Sequence, residues 1–125
     1  MATTNAFEYK RRVLELTATL TFEDITSAKM FGLPKGARLI RWTPNVKTAF
    51  SGGTAELDIG SSTDPDAYAD AIDLSALGQV HPTTEVVQPG YETEKMEDIY
   101  MNVGPSNTVG EVDVTLLFSF PMDRK

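Results

Sequence analysis

Cysteine is absent from the 125 residues, which excludes disulfides, thiolate metal sites and thiol chemistry and fits a reducing cytoplasm. Histidine occurs once, as His81, so a multi-histidine zinc site cannot be built. No apolar run approaches the roughly 20 residues of a membrane-crossing helix. The opening Met1-Ala2-Thr3-Thr4-Asn5 lacks the basic-then-apolar pattern of a secretory leader. There is no long amphipathic helical pattern, low-complexity tract or linker. Basic residues run out as well. Residues 49–123 hold one lysine, Lys95, against fourteen acids, whereas residues 1–48 hold eight Lys and Arg against four acids. With a net charge of −7 the chain is a poor general binder of nucleic acid, because phosphate neutralisation drives that affinity. The basic beginning either faces an acidic partner surface or is a solvated pattern.

What is present is alternation. In residues 12–22, Leu14, Leu16, Ala18, Leu20 and Phe22 point one way, and Glu15, Thr17, Thr19 and Thr21 the other. In residues 111–120, Val112, Val114, Leu116, Phe118 and Phe120 alternate with Glu111, Asp113, Thr115, Leu117 and Ser119. Each reads as a half-buried strand. Shorter strands are expected over 37–43, after a Pro34-Lys35-Gly36 turn, and over 45–50, with a break, bulge or edge at Pro44. Ser51-Gly52-Gly53 turns the chain into a strand over 54–59. Residues 84–88 and 95–103 are further candidates; in the latter Glu97, Ile99, Met101 and Val103 share a face. One short helix is expected, with Asp64 as its cap, Pro65 at its first position and Asp66 favouring its dipole; Tyr68 and Ile72 would pack on a sheet. The fold class is therefore all-β: a single domain of seven or eight strands with one short helix, a β-sandwich or small barrel. The expected organisation is an N-terminal arm over 1–12 and the sandwich over 13–125. The expected core is Leu14, Leu16, Leu20, Phe22, Leu39 or Ile40, Leu57, Ile59, Val112, Val114, Leu116 and Phe118.

Residues that carry chemistry are scarce. Asp58, Asp64, Asp66, Asp70 and Asp73 raise the question of calcium, which takes six to eight oxygens from a folded loop. Here they surround a helix start without that spacing, so capping by Asp64 and solvation of the others is the reading, with no metal and no cofactor. His81 precedes Pro82 and belongs to an extended loop. The glycines form turns and open no phosphate-cradling motif. Trp42, Tyr68, Tyr91 and Tyr100 could form a sugar platform, but aromatics in a small β domain serve more often as core or interface. No enzymatic activity is expected.

From Leu33 to Gly78 the chain carries Leu33-Pro34, Gly36, Thr48-Ala49-Phe50, Gly52-Gly53, Leu57, Ile59-Gly60, Asp64 and Asp66-Ala67-Tyr68. This segment resembles one recurring in small structural proteins of tailed bacteriophages, among them capsid decoration (cement) proteins. The resemblance implies a single-domain β-sandwich of jelly-roll-like fold, and a virion protein, made in the host cytoplasm, that binds the major capsid protein and stabilises the head shell. It implies a homotrimer for preference, with neither nucleic acid nor membrane as partner. The alternative is a ligand- or carbohydrate-binding β module of a head fibre or tail. A long strand edge left open is an aggregation hazard, which also favours assembly through sheet faces or edges. Phe7, Tyr9, Lys10, Arg11 and Arg12 combine aromatic and basic side chains as interface anchors do and are the expected capsid or subunit contact.

Overall fold

The two cleanest alternating segments, one near each end of the chain, pair with each other along their whole length. β1 (Arg11–Thr21) lies antiparallel to β8 (Val109–Pro121) in unbroken register from Arg11 opposite Pro121 to Thr21 opposite Glu111. The computed structural model describes residues 11–80 and 91–121. Between those strands lie β2 (Ala28–Leu33), β3 (Arg38–Ser51), β4 (Glu56–Gly60), β5 (Ala69–Asp73), β6 (Gly78–Gln79) and β7 (Glu97–Val103). They form a long sheet in the order β1-β8-β3-β6 and a short sheet in the order β2-β7-β4-β5. All pairings are antiparallel, and they nest: β1 with β8, β2 with β7, β3 with β6, β4 with β5. The two sheets pack face to face as a β-sandwich.

The expected strands over 37–43 and 45–50 are one strand of 14 residues that runs through Pro44. The register explains why this proline is tolerated. The Phe22 amide donates to the Gly110 carbonyl at 3.1 Å, so along β8 the even-numbered residues turn their backbone groups toward β1. Pro44 lies opposite Val114 and therefore has no ladder bond to lose there. Its nitrogen faces β6, a strand of only two residues, and its carbonyl accepts from the Val80 amide at 2.9 Å.

The expected helix after Asp64 does not form, and no helix occurs among the described residues. Residues 65–68 turn, and the chain enters β5. The Tyr68 amide bonds to the Ile59 carbonyl at 2.8 Å, which commits this stretch to the β4 ladder. Gly60 makes the approach possible, because a Cβ there would collide with the Asp64 and Pro65 backbone. Asp64 consequently caps no helix. Its carbonyl accepts from the Ser61 and Ala67 amides at 2.8 and 3.1 Å. β2, β5 and β6 were not expected as strands, and the candidate strand over 84–88 lies outside the described residues.

In the long sheet the core is built from rows of facing side chains: Leu14–Phe118–Leu39, Leu16–Leu116–Trp42, Ala18–Val114–Pro44 and Leu20–Val112–Val46. The short sheet contributes Phe31, Leu33, Leu57, Ile59, Ile72, Ile99, Met101 and Val103. Leu20, Leu39, Leu57, Ile59, Val112, Val114, Leu116 and Phe118 are buried as expected. Leu16, Phe22 and Ile40 are half-buried and Leu14 is exposed.

Two interlocked connections close one end. The Thr54 amide donates to the Pro105 carbonyl at 3.0 Å and the Thr108 amide to the Ser51 carbonyl at 2.9 Å. The Asn107 Nδ2 reaches the Thr54 and Gly104 carbonyls at 2.7 and 3.1 Å. Gly53 sits against this knot, where a Cβ would collide with the Pro105 carbonyl and the Ser106 backbone. Elsewhere, Thr93 ties the Pro34-Lys35-Gly36 turn to the segment before β7. Its hydroxyl accepts from the Ala37 amide at 3.0 Å and donates to the Pro34 carbonyl at 2.8 Å. The glycine and proline corners of the sequence thus mark places where two chain segments touch.

Candidate interaction surfaces

β1, β8 and β3 have 11, 13 and 14 residues, whereas the strands of the short sheet have five to seven. The long sheet must therefore project beyond the short one. Exposure along β1 locates the overhang. Leu20 is fully buried, whereas Leu14, on the same face, is 37% exposed, and Val13 on the other face is 57% exposed. Phe120, half-buried, stacks beside Phe118 with ring centroids 6.3 Å apart. Arg12 lies opposite Phe120 and is exposed. Arg41 is exposed on the outer face opposite Leu117. Neither arginine has an ion pair among the described residues. Arg38, by contrast, is held by Glu92 at 3.1 Å. Of the expected contact residues, Arg11 and Arg12 belong to β1. Phe7, Tyr9 and Lys10 lie outside the described residues.

The outer face of the long sheet is rich in hydroxyls. Thr17 and Thr115 share a hydrogen bond of 3.1 Å across β1 and β8. The Thr19 hydroxyl donates to Asp113 at 2.7 Å, and the Lys47 ammonium lies 3.2 Å from the same carboxylate. Thr19 first and Lys47 second hold Asp113 below its ordinary carboxylate range.

At the opposite side of the core a carboxylate joins three segments. Glu97, at the start of β7, accepts from the Tyr68 hydroxyl on one oxygen and from the Tyr91 hydroxyl, at 2.5 Å, on the other. Tyr68 also packs against Trp42 of the long sheet, with ring centroids 6.2 Å apart. Burial, then the bond to Glu97, raises the Tyr68 phenol well above its usual range. The bond to Glu97 raises that of Tyr91 to about 12. Both carboxylate oxygens are occupied, so the group clamps the start of β7 to the segments that lead into β5 and β7. A cleft of about 380 Å³ beside it is lined by Ser61, Ser62, Tyr68, Lys95, Met96, Glu97 and Asp98. Sequence reasoning missed this clamp. The available signal was an acid, Glu97, at an inward position of an alternating strand.

The aspartates near residue 64 have separate structural attachments. Asp58 accepts from the Ala71 amide at 2.9 Å, which supports a residue held at a φ of 53°. Asp73 accepts from the Ser75 amide at 2.9 Å. Asp66 is raised above the ordinary carboxylate range, chiefly by its hydrogen bond with Asp64. No group of three or more acidic or histidine side chains among the described residues is arranged to hold a metal ion. Trp42 and Tyr68 are buried, which removes them from any exposed sugar platform. His81 lies outside the described residues.

No protein-family model matches the chain, and no curated protein matches it by sequence. Solved structures do match its fold. One is a chain of the cyanophage Pam1 capsid asymmetric unit, 18% identical, with a TM-score of 0.62 over 97% of this chain and 100% of that one. Another comes from the acid-stable capsid of the Helicobacter pylori bacteriophage KHP30, 16% identical, with a TM-score of 0.57 over 92% of this chain and 100% of that one. At such identities the likeness is one of fold, and it spans nearly the whole chain.

Proposed function

We propose that this protein is a structural component of a bacteriophage virion, a capsid decoration (cement) protein that binds the major capsid protein and braces the head shell. The observation that carries the reading is the end-to-end match to chains of two phage capsids. Each matched chain is covered completely, so each is a component of about this size rather than a larger protein containing a similar domain. The nested pairing and the orders β1-β8-β3-β6 and β2-β7-β4-β5 support a jelly roll, an architecture used by viral capsid domains.

Such a protein acts without chemistry. Each contact with the shell raises the barrier to losing a subunit. A homotrimer engages several sites at once, and its later contacts are effectively intramolecular. The overhanging end of the long sheet, with Arg12, Val13, Leu14 and Arg41, supplies apolar area and unpaired positive charge for an acidic partner surface. Phe7, Tyr9, Lys10 and Arg11 extend that contact. Synthesis in the host cytoplasm fits a cysteine-free chain.

Co-sedimentation with emptied capsids tests the function, and solution mass tests the trimer. Binding is expected to persist in the His81→Ala variant and to weaken when residues 2–9 are deleted. Absence of binding to capsids, together with retention on a host-surface polysaccharide, would replace this reading with a ligand-binding module of a fibre or tail.

A further inference from the structure

Among the described residues the two sheets have four strand edges, and three of them are strongly blunted. β6 is two residues long. β2 is six residues long, has a register shift between Lys29 and Phe31 and carries a lysine on that edge. β5 is five residues long, is distorted at Ala71, where φ is 53°, and carries Asp70 and Asp73. These are the usual means by which sheet edges avoid joining other chains. β1 is blunted least: its charges, Arg11, Arg12 and Glu15, all lie in its first half. It is 11 residues long, in unbroken register with β8, and has no proline, and no charged residue from Leu16 to Thr21. Among the described residues its second edge pairs with nothing.

The register also fixes which groups that edge offers. Because the Phe22 amide bonds to Gly110, even-numbered residues of β1 face β8, and Val13, Glu15, Thr17, Thr19 and Thr21 turn their amides and carbonyls outward. Thr21 is already engaged at both groups: its N–H donates to the Asp24 carboxylate at 2.7 Å, and its carbonyl accepts from the Asp24 amide at 3.0 Å on one of its two lone pairs. The remaining four amides are open.

We infer that β1 pairs antiparallel with β1 of a second copy about a two-fold axis at Thr17, which makes the two long sheets continuous. The sequence is self-complementary in that register. On the inner face Leu14 meets the second copy's Leu20, and Leu16 meets its Ala18, which covers the exposed Leu14. On the outer face Val13 meets Thr21, Glu15 meets Thr19, and Thr17 meets its own counterpart. Arg12 falls opposite an aromatic ring, Phe22. No like charges oppose each other, a condition for stable cross-strand pairs. All the outward amides except that of Thr21 find carbonyls, giving about eight backbone hydrogen bonds by the alternating ladder. The same patch on both partners is the mark of an isologous contact. On a particle built from three-fold units, this two-fold contact would join neighbouring trimers into a net. The pairing shares Arg12, Val13 and Leu14 with the surface proposed for the capsid, and it is tested on the free protein, where no capsid competes for them.

The contact is small, so a dissociation constant on the order of 0.1 mM is expected. Amide exchange at Val13, Glu15, Thr17 and Thr19 should slow as protein concentration rises, while exchange at Thr21 should not change. Thr17→Lys and Thr17→Glu each place like charges face to face. Each should raise the concentration for half-association by about two- to fivefold, and an equimolar mixture of the two should restore association. Thr17→Pro removes an outward amide without touching the β8 ladder and should keep the parent's fold while losing association. The inference is overturned if the four amides exchange at a concentration-independent rate, if Thr17→Lys associates like the parent, or if mixing restores nothing. Failure to bind capsids would overturn the proposed function and leave this pairing intact.

Discussion

Across the long sheet, rows such as Leu16–Leu116–Trp42 and Leu20–Val112–Val46 follow one another; β1 and β8 keep one unbroken register, while β3 shifts against β8 at three places outside these rows. Across the short sheet, β2·β7 and β4·β5 both shift register. There the irregular places are held by polar clamps: Asp58 on the Ala71 amide, and Glu97 between Tyr68 and Tyr91. The long sheet owes its stability mainly to periodic burial, the short sheet to burial plus specific bonds. Substitutions should therefore fail differently in the two.

The largest effect is expected in the rows. Phe118→Ala empties a position that is 3% exposed and should cost about 3–5 kcal/mol in chemical denaturation. Leu14→Ala, on the same face but in the overhang, should cost under about 1 kcal/mol, since little area leaves water there. Equal costs for the two would erase the distinction between covered and overhanging parts of the long sheet.

Next comes the knot between chain segments. Gly53→Ala places a methyl group against the Pro105 carbonyl and Ser106 backbone, and neither is a flexible side-chain end. Overpacking of this kind costs about 1–3 kcal/mol, which a lowered denaturation midpoint would report. A midpoint equal to the parent's would mean that the two connections part easily.

The same contrast explains how much of the fold was legible in the sequence. β1 and β8 each alternate over five or more pairs, and nothing competes with that signal. Tyr68 and Ile72 sit four residues apart, a spacing that fits a helical face and equally the same side of a strand. The Asp64-Pro65-Asp66 start favoured the helix. The bulge at Ala71, with its φ of 53°, hid the alternation that would have favoured β5. β2 was lost to its register shift at Met30 and to Gly32. Leu14 and Leu16 were assigned to the core because alternation identifies a face but not how far the opposing sheet extends beneath it. The basic and apolar tip of β1 was visible as composition. That β1 is the least blunted edge became visible only once the edges could be compared.

The clamp at Glu97 gives the short sheet an alkaline limit. A neutral phenol is the donor, and the folded Tyr91 value of about 12 lies above the value of about 10 for a free tyrosine. The bond's contribution is complete below pH 10 and is lost as pH rises toward 12. The parent should lose stability across that window more steeply than a Tyr68→Phe, Tyr91→Phe double variant. At neutral pH, Tyr68→Phe alone should cost about 1.5–3 kcal/mol, the range for hydrogen bonds to charged groups. Parallel pH profiles for parent and double variant would show that Glu97 does not clamp these segments.

The smallest effect separates the outer face of the long sheet from its rows. Asp113 is held below its ordinary range by the Thr19 hydroxyl and then by Lys47. A depressed carboxyl contributes stability above its unfolded value, and that contribution fades as pH falls through the folded value. The gain from Asp113 should therefore be intact at neutral pH and disappear below about pH 4. Because the Lys47 side chain is 51% exposed, solvent screening keeps the contribution under about 1 kcal/mol. Asp113→Asn should lower stability slightly at pH 7, converge with the parent in acid, and lose its difference in high salt. A gap of several kcal/mol at pH 7 would instead mean that the outer face, and not only the buried rows, holds β1 to β8. The weak bonds seen there would then be part of the sheet's stability and not merely a solvated surface.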